Sequence, residues 1–196
     1  MKLMYSGLLV VLSAVAALAQ PVPPAQSERL QPPKPTHVAE VLTLVPQDMQ
    51  RLFERATIVA RVRITGSATV VFDRPGNLGP TVRTKHTAAV VALYKGEGHP
   101  KTIEFYQTAG SAETEHYNIQ IADQSVLVAG REYVVFLTPY TYFKSYSLVG
   151  EDNGAFEVTD SRIRAVGTAE VSRAHDNMAF DRFLAELRAI DRRVAK

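Results

Sequence analysis

Ile58-Val59-Ala60-Arg61-Val62-Arg63-Ile64 decides how this chain is read. Ile58, Ala60, Val62 and Ile64 alternate with Val59, Arg61 and Arg63, the period-two pattern of a half-buried strand. Gly66 interrupts the pattern as a bulge does, and residues 69–72 carry the strand on. The turn formers Asp73-Arg74-Pro75-Gly76-Asn77-Leu78-Gly79-Pro80 predict a loop, 73–80, at the tip of a long hairpin. Its return strand spans 81–94 and ends in Ala88-Ala89-Val90-Val91-Ala92-Leu93-Tyr94, apolar on both faces and therefore central in a sheet. Lys95-Gly96-Glu97-Gly98-His99-Pro100 stops it.

Working outward, the spacing of Met49, Leu52, Phe53 and Ala56 predicts a short helix over 46–55, with Pro46 in its first turn and Asp48 near the positive end of its dipole. Downstream, 102–106 reads as a third strand. In the polar stretch 109–123, Tyr117, Ile119 and Ile121 alternate as an edge strand would. Tyr133-Val134-Val135-Phe136-Leu137 is the strongest β run in the chain, closed by Pro139. Three further strands are expected over 143–149, 155–159 and 162–166. Asn153-Gly154, a type I′ hairpin signal, and Asp160-Ser161 join them as a meander. Then the period changes: Phe180, Phe183, Leu184, Leu187 and Ile190 form one apolar stripe, a helix packed on the β domain or docking a partner, with Asp176 as its N-cap.

The amino end reads as a targeting segment. Lys2 precedes an apolar run over 8–17, and Ala17-Leu18-Ala19 supplies small residues at the positions a signal peptidase reads. Residues 1–19 are therefore expected to be a signal peptide, cut between Ala19 and Gln20. The chain has no Cys, so the lipoprotein route, a disulfide frame and a thiolate metal site are all closed to it. No later segment reaches the roughly 20 apolar residues of a membrane span. The mature chain is thus expected to be secreted or periplasmic. Pro21, Pro23, Pro24, Pro32, Pro33 and Pro35 make 20–37 a tether, followed by a β domain over 38–170 and the terminal helix within 171–196. The 196 residues carry 22 Lys plus Arg against 20 Asp plus Glu. Losing Lys2 with the signal leaves a charge near neutrality, which argues against nucleic acid as a partner.

Motifs for chemistry are sparse. No G-x-S-x-G occurs, the five histidines His37, His86, His99, His116 and His175 are scattered, and a triad assembled in space leaves no local signature. Zinc-binding spacings and phosphate-binding glycine loops are missing, so no cofactor is expected. Glu113, Glu115 and His116 form the one acid–imidazole cluster, a candidate for a weak cation site or a hydrolase centre and otherwise a solvated loop. Arg61, Arg63, Arg83 and Lys85 read as solvated strand positions. Tyr140-Thr141-Tyr142-Phe143-Lys144-Ser145-Tyr146 concentrates four aromatics in seven residues. If extended, it puts Tyr140, Tyr142 and either Lys144 or Tyr146 on one face, able to stack on a sugar, anchor a protein, or cover the end of the fold.

Several of these features recur together: Arg55-Ala56-Thr57 ending the helix, Ile58-Val59-Ala60-Arg61-Val62, Val90-Val91-Ala92-Leu93-Tyr94-Lys95-Gly96, Gly130-Arg131-Glu132-Tyr133-Val134-Val135-Phe136-Leu137-Thr138, and Tyr146-Ser147-Leu148-Val149-Gly150 before Gly154-Ala155-Phe156-Glu157-Val158. Over about residues 43–166 this order resembles secreted bacterial domains with an OB-like barrel, similar to the netrin module and to tissue inhibitors of metalloproteinases. The resemblance implies a mainly β protein: an OB-like β-barrel with a short N-terminal helix and a C-terminal amphipathic helix, an immunoglobulin-like sandwich being the alternative. It also implies a binding role. Inhibitors of that group chelate their target's zinc through an amino-terminal cysteine, and the terminus expected here is Gln20-Pro21-Val22. The expectation is therefore a non-enzymatic binding module for a protein or polysaccharide partner, with Tyr140, Tyr142 and Tyr146 as contacts. The alternative is a hydrolase or metal binder using Glu113, Glu115 and His116.

Overall fold

The computed structural model describes residues 34, 36–39, 45–73, 80–115, 118–121, 125–140 and 144–194. The expected signal peptide with its Ala19–Gln20 cut, most of the tether, and the tip of the 73–80 loop lie outside them. Strand β1 (Thr36–Ala39) starts just inside the stretch read as tether.

Helix α1 (Met49–Arg55) is shorter than the 46–55 expected. Asp48 sets its start: its backbone is extended and its Oδ1 accepts the Arg51 amide at 2.8 Å, leaving Pro46 outside the helix. At the other end Lys95 Nζ donates to the Phe53 carbonyl at 2.7 Å, satisfying an orphan acceptor of the last turn.

The hairpin arms are β2 (Ile58–Asp73) and β3 (Pro80–Lys95), paired from Val59↔Lys95 to Asp73↔Pro80 with a register shift between Ile64 and Gly66. The bulge expected at Gly66 is present. β4 (Thr102–Gln107) pairs with β3, and β7 (Glu132–Tyr140) pairs with the other edge of β2. β8 (Ser145–Leu148) then lies parallel to β4 and antiparallel to β7. The strands β2, β3, β4, β8 and β7 thereby form a closed ring, not two facing sheets.

β3 is central, between β2 and β4, but its second face is not covered throughout: Val91 is 48% exposed. Pro139 does not close β7, which runs on to Tyr140. Beyond Leu137 the strand has left β2 behind, so the donor that proline lacks is not required on that side.

The last strands are not a meander. β9 (Ala155–Thr159) pairs with β7, not with β8, and β10 (Arg162–Ala165) pairs with β9. Between β8 and β9, Glu151–Gly154 forms a 3-10 turn where Asn153-Gly154 was expected to make a hairpin. Asn153 is committed elsewhere: its Oδ1 accepts the Ala169 amide and the Ser172 hydroxyl, both at 2.9 Å. The positive-φ hairpin turn is instead Asp160-Ser161, at φ 49° and 61°.

A second sheet holds β1, β5 (Ser111–Glu113) and β6 (Asn118–Ile121), with β6 in the middle and not at the edge. Its Ile119 and Ile121 pack on Val82 of β3. Helix α2 (Glu170–Arg173) precedes α3 (Phe180–Val194). Asp176 does not cap α3. Its Oδ1 accepts the Ala165 amide at 3.0 Å and so covers the open edge of β10.

Two cores use alternate residues of the same strands. Ile58, Ala60, Val62, Phe105, Val135 and Leu137 fill the ring. Val59, Val134, Phe136 and Phe156 face the other way, against Leu52 and Phe53 of α1 and Phe183, Leu187 and Ile190 of α3. The stripe read from the sequence thus packs on the β domain. Among the described residues no helix is long and apolar enough to cross a membrane.

Candidate functional site

The aromatic hairpin divides between two faces. Tyr140 pairs with Ser145 and Pro139 with Tyr146, so Tyr140 and Tyr146 point to opposite sides of the sheet. The shared face expected for them is not formed, because the chain reverses between them and the hairpin register resets the alternation. Tyr142 lies outside the described residues.

Tyr146 stands beside Phe105 and packs against the filling of the ring. It lines two adjoining hollows. One, of about 390 Å³, is bounded by Pro139, Tyr140 and Lys144. The other, of about 620 Å³, extends over Ile58, His99, Ile103 and Glu104. Both include Lys144, Ser145 and Tyr146, and together they form an open groove over the end of the ring where β2 begins. Lys144 has a φ of 49°, and Ser145 Oγ donates to the Glu104 carbonyl at 3.0 Å, tying the hairpin to the groove's far wall.

Tyr140 faces outward. Its ring lies 6.2 Å from that of Tyr106, and the Arg83 guanidinium carbon sits 4.5 Å above it. Arg83 Nε is buried and has no hydrogen-bond partner. Nearby, Lys85 pairs with Glu104 at 2.9 Å, and that hydrogen bond holds its pKa above the ordinary lysine value. Arg83 is therefore a stacked cation, unlike the solvated strand position expected.

Arg61 and Arg63 are not simply solvated either. Arg61 Nε donates to Glu132 Oε2 at 2.7 Å and Arg63 Nη2 to Glu132 Oε1 at 2.5 Å, while the Arg61 guanidinium lies 5.0 Å from the centre of the Phe180 ring. Burial pushes the Glu132 carboxyl up, but hydrogen bonds from Arg63 and Arg61 outweigh it and keep its pKa below the ordinary value.

The Glu113, Glu115 and His116 cluster does not assemble among the described residues. Glu113 Oε1 takes a 2.6 Å bond from Lys34, Glu115 is exposed, and His116 lies outside them. No group of three or more His, Asp or Glu able to hold a metal occurs among the described residues.

A different polar constellation is present that sequence reasoning did not find. Ser67 Oγ lies 2.8 Å from His86 Nδ1, His86 Nε2 lies 2.9 Å from Gln107 Oε1, and Gln107 Nε2 donates to Asp152 Oδ1 at 2.6 Å. β2, β3, β4 and the 3-10 turn each supply one member. Ser67 is exposed, whereas His86, Gln107 and Asp152 are buried. Burial lowers the His86 pKa, partly offset by the bond to Gln107. Burial also pushes the Asp152 carboxyl up to about 6 against the hydrogen bonds it accepts from Gln107 and Ser125.

Comparison with protein-family models and with curated proteins finds no match to this chain.

Proposed function

We propose that this chain is a secreted binding module with an OB-like barrel, which holds a protein or an envelope polysaccharide against the aromatic end of its ring. The carrying observation is the groove in which two hollows meet on Lys144, Ser145 and Tyr146, with the Tyr140–Arg83 stack on its outer flank. A broad, open groove with aromatic walls suits an extended partner better than a small enclosed substrate.

Closure through β2, β3, β4, β8 and β7 supports the OB-like reading, since a five-stranded Greek-key barrel has that many strands. OB-folds bind ligands on one face of their second and third strands and on the loops beside it. The corresponding features here are β3 and β4, which carry Arg83 and Tyr106.

The test is capture from a secreted and envelope fraction on immobilised chain, with Tyr140→Ala/Tyr146→Ala and Val91→Ala variants beside it. The native chain and Val91→Ala should retain a partner that the double-tyrosine variant loses at least tenfold, roughly the effect of removing one interface anchor. Equal retention by the double variant would remove the groove as the binding face.

A further inference from the structure

Gln107 fixes the protonation pattern of the buried polar chain. Its nitrogen donates to the Ser125 carbonyl and to Asp152 Oδ1, both at 2.6 Å, and its oxygen accepts the Leu127 amide at 3.2 Å, so only one orientation of the amide satisfies all three. That oxygen faces His86 Nε2 at 2.9 Å, which therefore carries the ring proton. Burial favours the neutral ring, leaving Nδ1 with a free lone pair. At 2.8 Å the group facing Nδ1 is the Ser67 hydroxyl, which must donate.

The sequence of contacts is nucleophile, base, orienting group. It has the logic of a serine triad with an amide in the third place and a carboxylate one hydrogen bond behind it. Hydrogen bonds in such a chain polarise one another, so the Asp152 carboxylate strengthens Gln107 Oε1 as an acceptor and stabilises positive charge on His86.

Two further observations concern access. Ser67 directly follows the register shift between Ile64 and Gly66, and bulges of this kind re-aim side chains beside functional sites. A Cβ placed on Gly66 would meet no atom within 4 Å, so the strand beside Ser67 is also open on its other face. The base is shielded from water while the serine is exposed.

We infer that Ser67 is an activated nucleophile that accepts acyl groups from esters, at a site separate from the aromatic groove. Ser67 Oγ attacks the ester carbonyl carbon as its proton passes to His86 Nδ1. The bond to the leaving alcohol breaks, and that oxygen takes the proton from Nδ1. Water then attacks the acyl-serine, delivers one proton to Nδ1, and releases the carboxylic acid as Ser67 regains its hydrogen. Gln107 and Asp152 act as positioning residues through His86.

The absence of cysteine from the chain gives a direct test. Ser67→Cys and Ser111→Cys each introduce a single thiol on an exposed strand position, and both are treated with iodoacetamide at neutral pH after circular dichroism has verified the fold. Deprotonation by His86 should make the thiol at position 67 react at least about a hundredfold faster, the lower end of the range for a positioned base. In parallel, a fluorophosphonate probe should label the native chain on the peptide carrying Ser67 and leave Ser67→Ala unlabelled. Equal alkylation rates, no labelling of the native chain, or equal labelling of Ser67→Ala would each overturn the inference.

Discussion

Asp152 is 3% exposed, and its carboxylate accepts from Gln107 Nε2 and from the Ser125 amide. Burial raises its pKa from 3.8 to about 6, so the folded chain binds this proton more tightly than the unfolded chain does. Its contribution to stability is therefore complete below the unfolded value and is lost as the pH rises through about 6. Raising the carboxyl from 3.8 to about 6 corresponds to roughly 3 kcal/mol. Urea unfolding of the native chain between about pH 4 and 7, set against Asp152→Asn, should show that loss in the native chain only. Parallel curves would remove Asp152 from the account. The same network shows what one residue's sequence context can reveal. His86 occupies an inward position of β3 between Thr84 and Ala88, and a histidine on a buried face needs partners for both nitrogens. That need is visible in the alternation of the strand. The identity of the partners is not, because Ser67 and Gln107 reach it from two other strands.

The elements whose spacing carries the signal were legible: the hairpin of β2 and β3 with its bulge, the β run of 133–137, and the stripe of α3. What was not legible is which strands become neighbours. Asn153-Gly154 is good hairpin chemistry, yet the strands on either side pair with different stretches of β7 and the asparagine is drawn into contacts with Ala169 and Ser172. Tertiary partners overrode the local turn preference, and the tyrosine faces were misread for a similar reason. Periodicity holds along a strand and is reset at each reversal. Gly154 itself is required for space, since a Cβ there would run into the Val149 carbonyl oxygen and the Val149 backbone. Gly154→Ala should therefore cost about 1–3 kcal/mol, the range for overpacking a rigid site. Gly66→Ala, which meets open space, should cost less in the same thermal melt. A reversed order of the two midpoints would contradict the steric reading of the 3-10 turn.

At the scale of the molecule the two cores are not separable, because β7 contributes Tyr133, Val135 and Leu137 to one and Val134 and Phe136 to the other. Helix α3 adds Phe183, fully buried and 5.2 Å from the Phe156 ring, to the second core alone. Phe183→Ala should cost about 3–5 kcal/mol and Leu137→Ala about 2–5 kcal/mol, against a total of roughly 5–15 kcal/mol for a domain of this kind. Since a strand cannot release one face while keeping its ladder to the other, both substitutions should lower one cooperative transition. Helical ellipticity and the near-ultraviolet tyrosine signal should fall together in each variant. If Phe183→Ala instead melted the helical signal first and left the tyrosine signal at its native midpoint, α3 would be an accessory laid on an independently stable ring. The groove and the Ser67 site would then have to be explained without it.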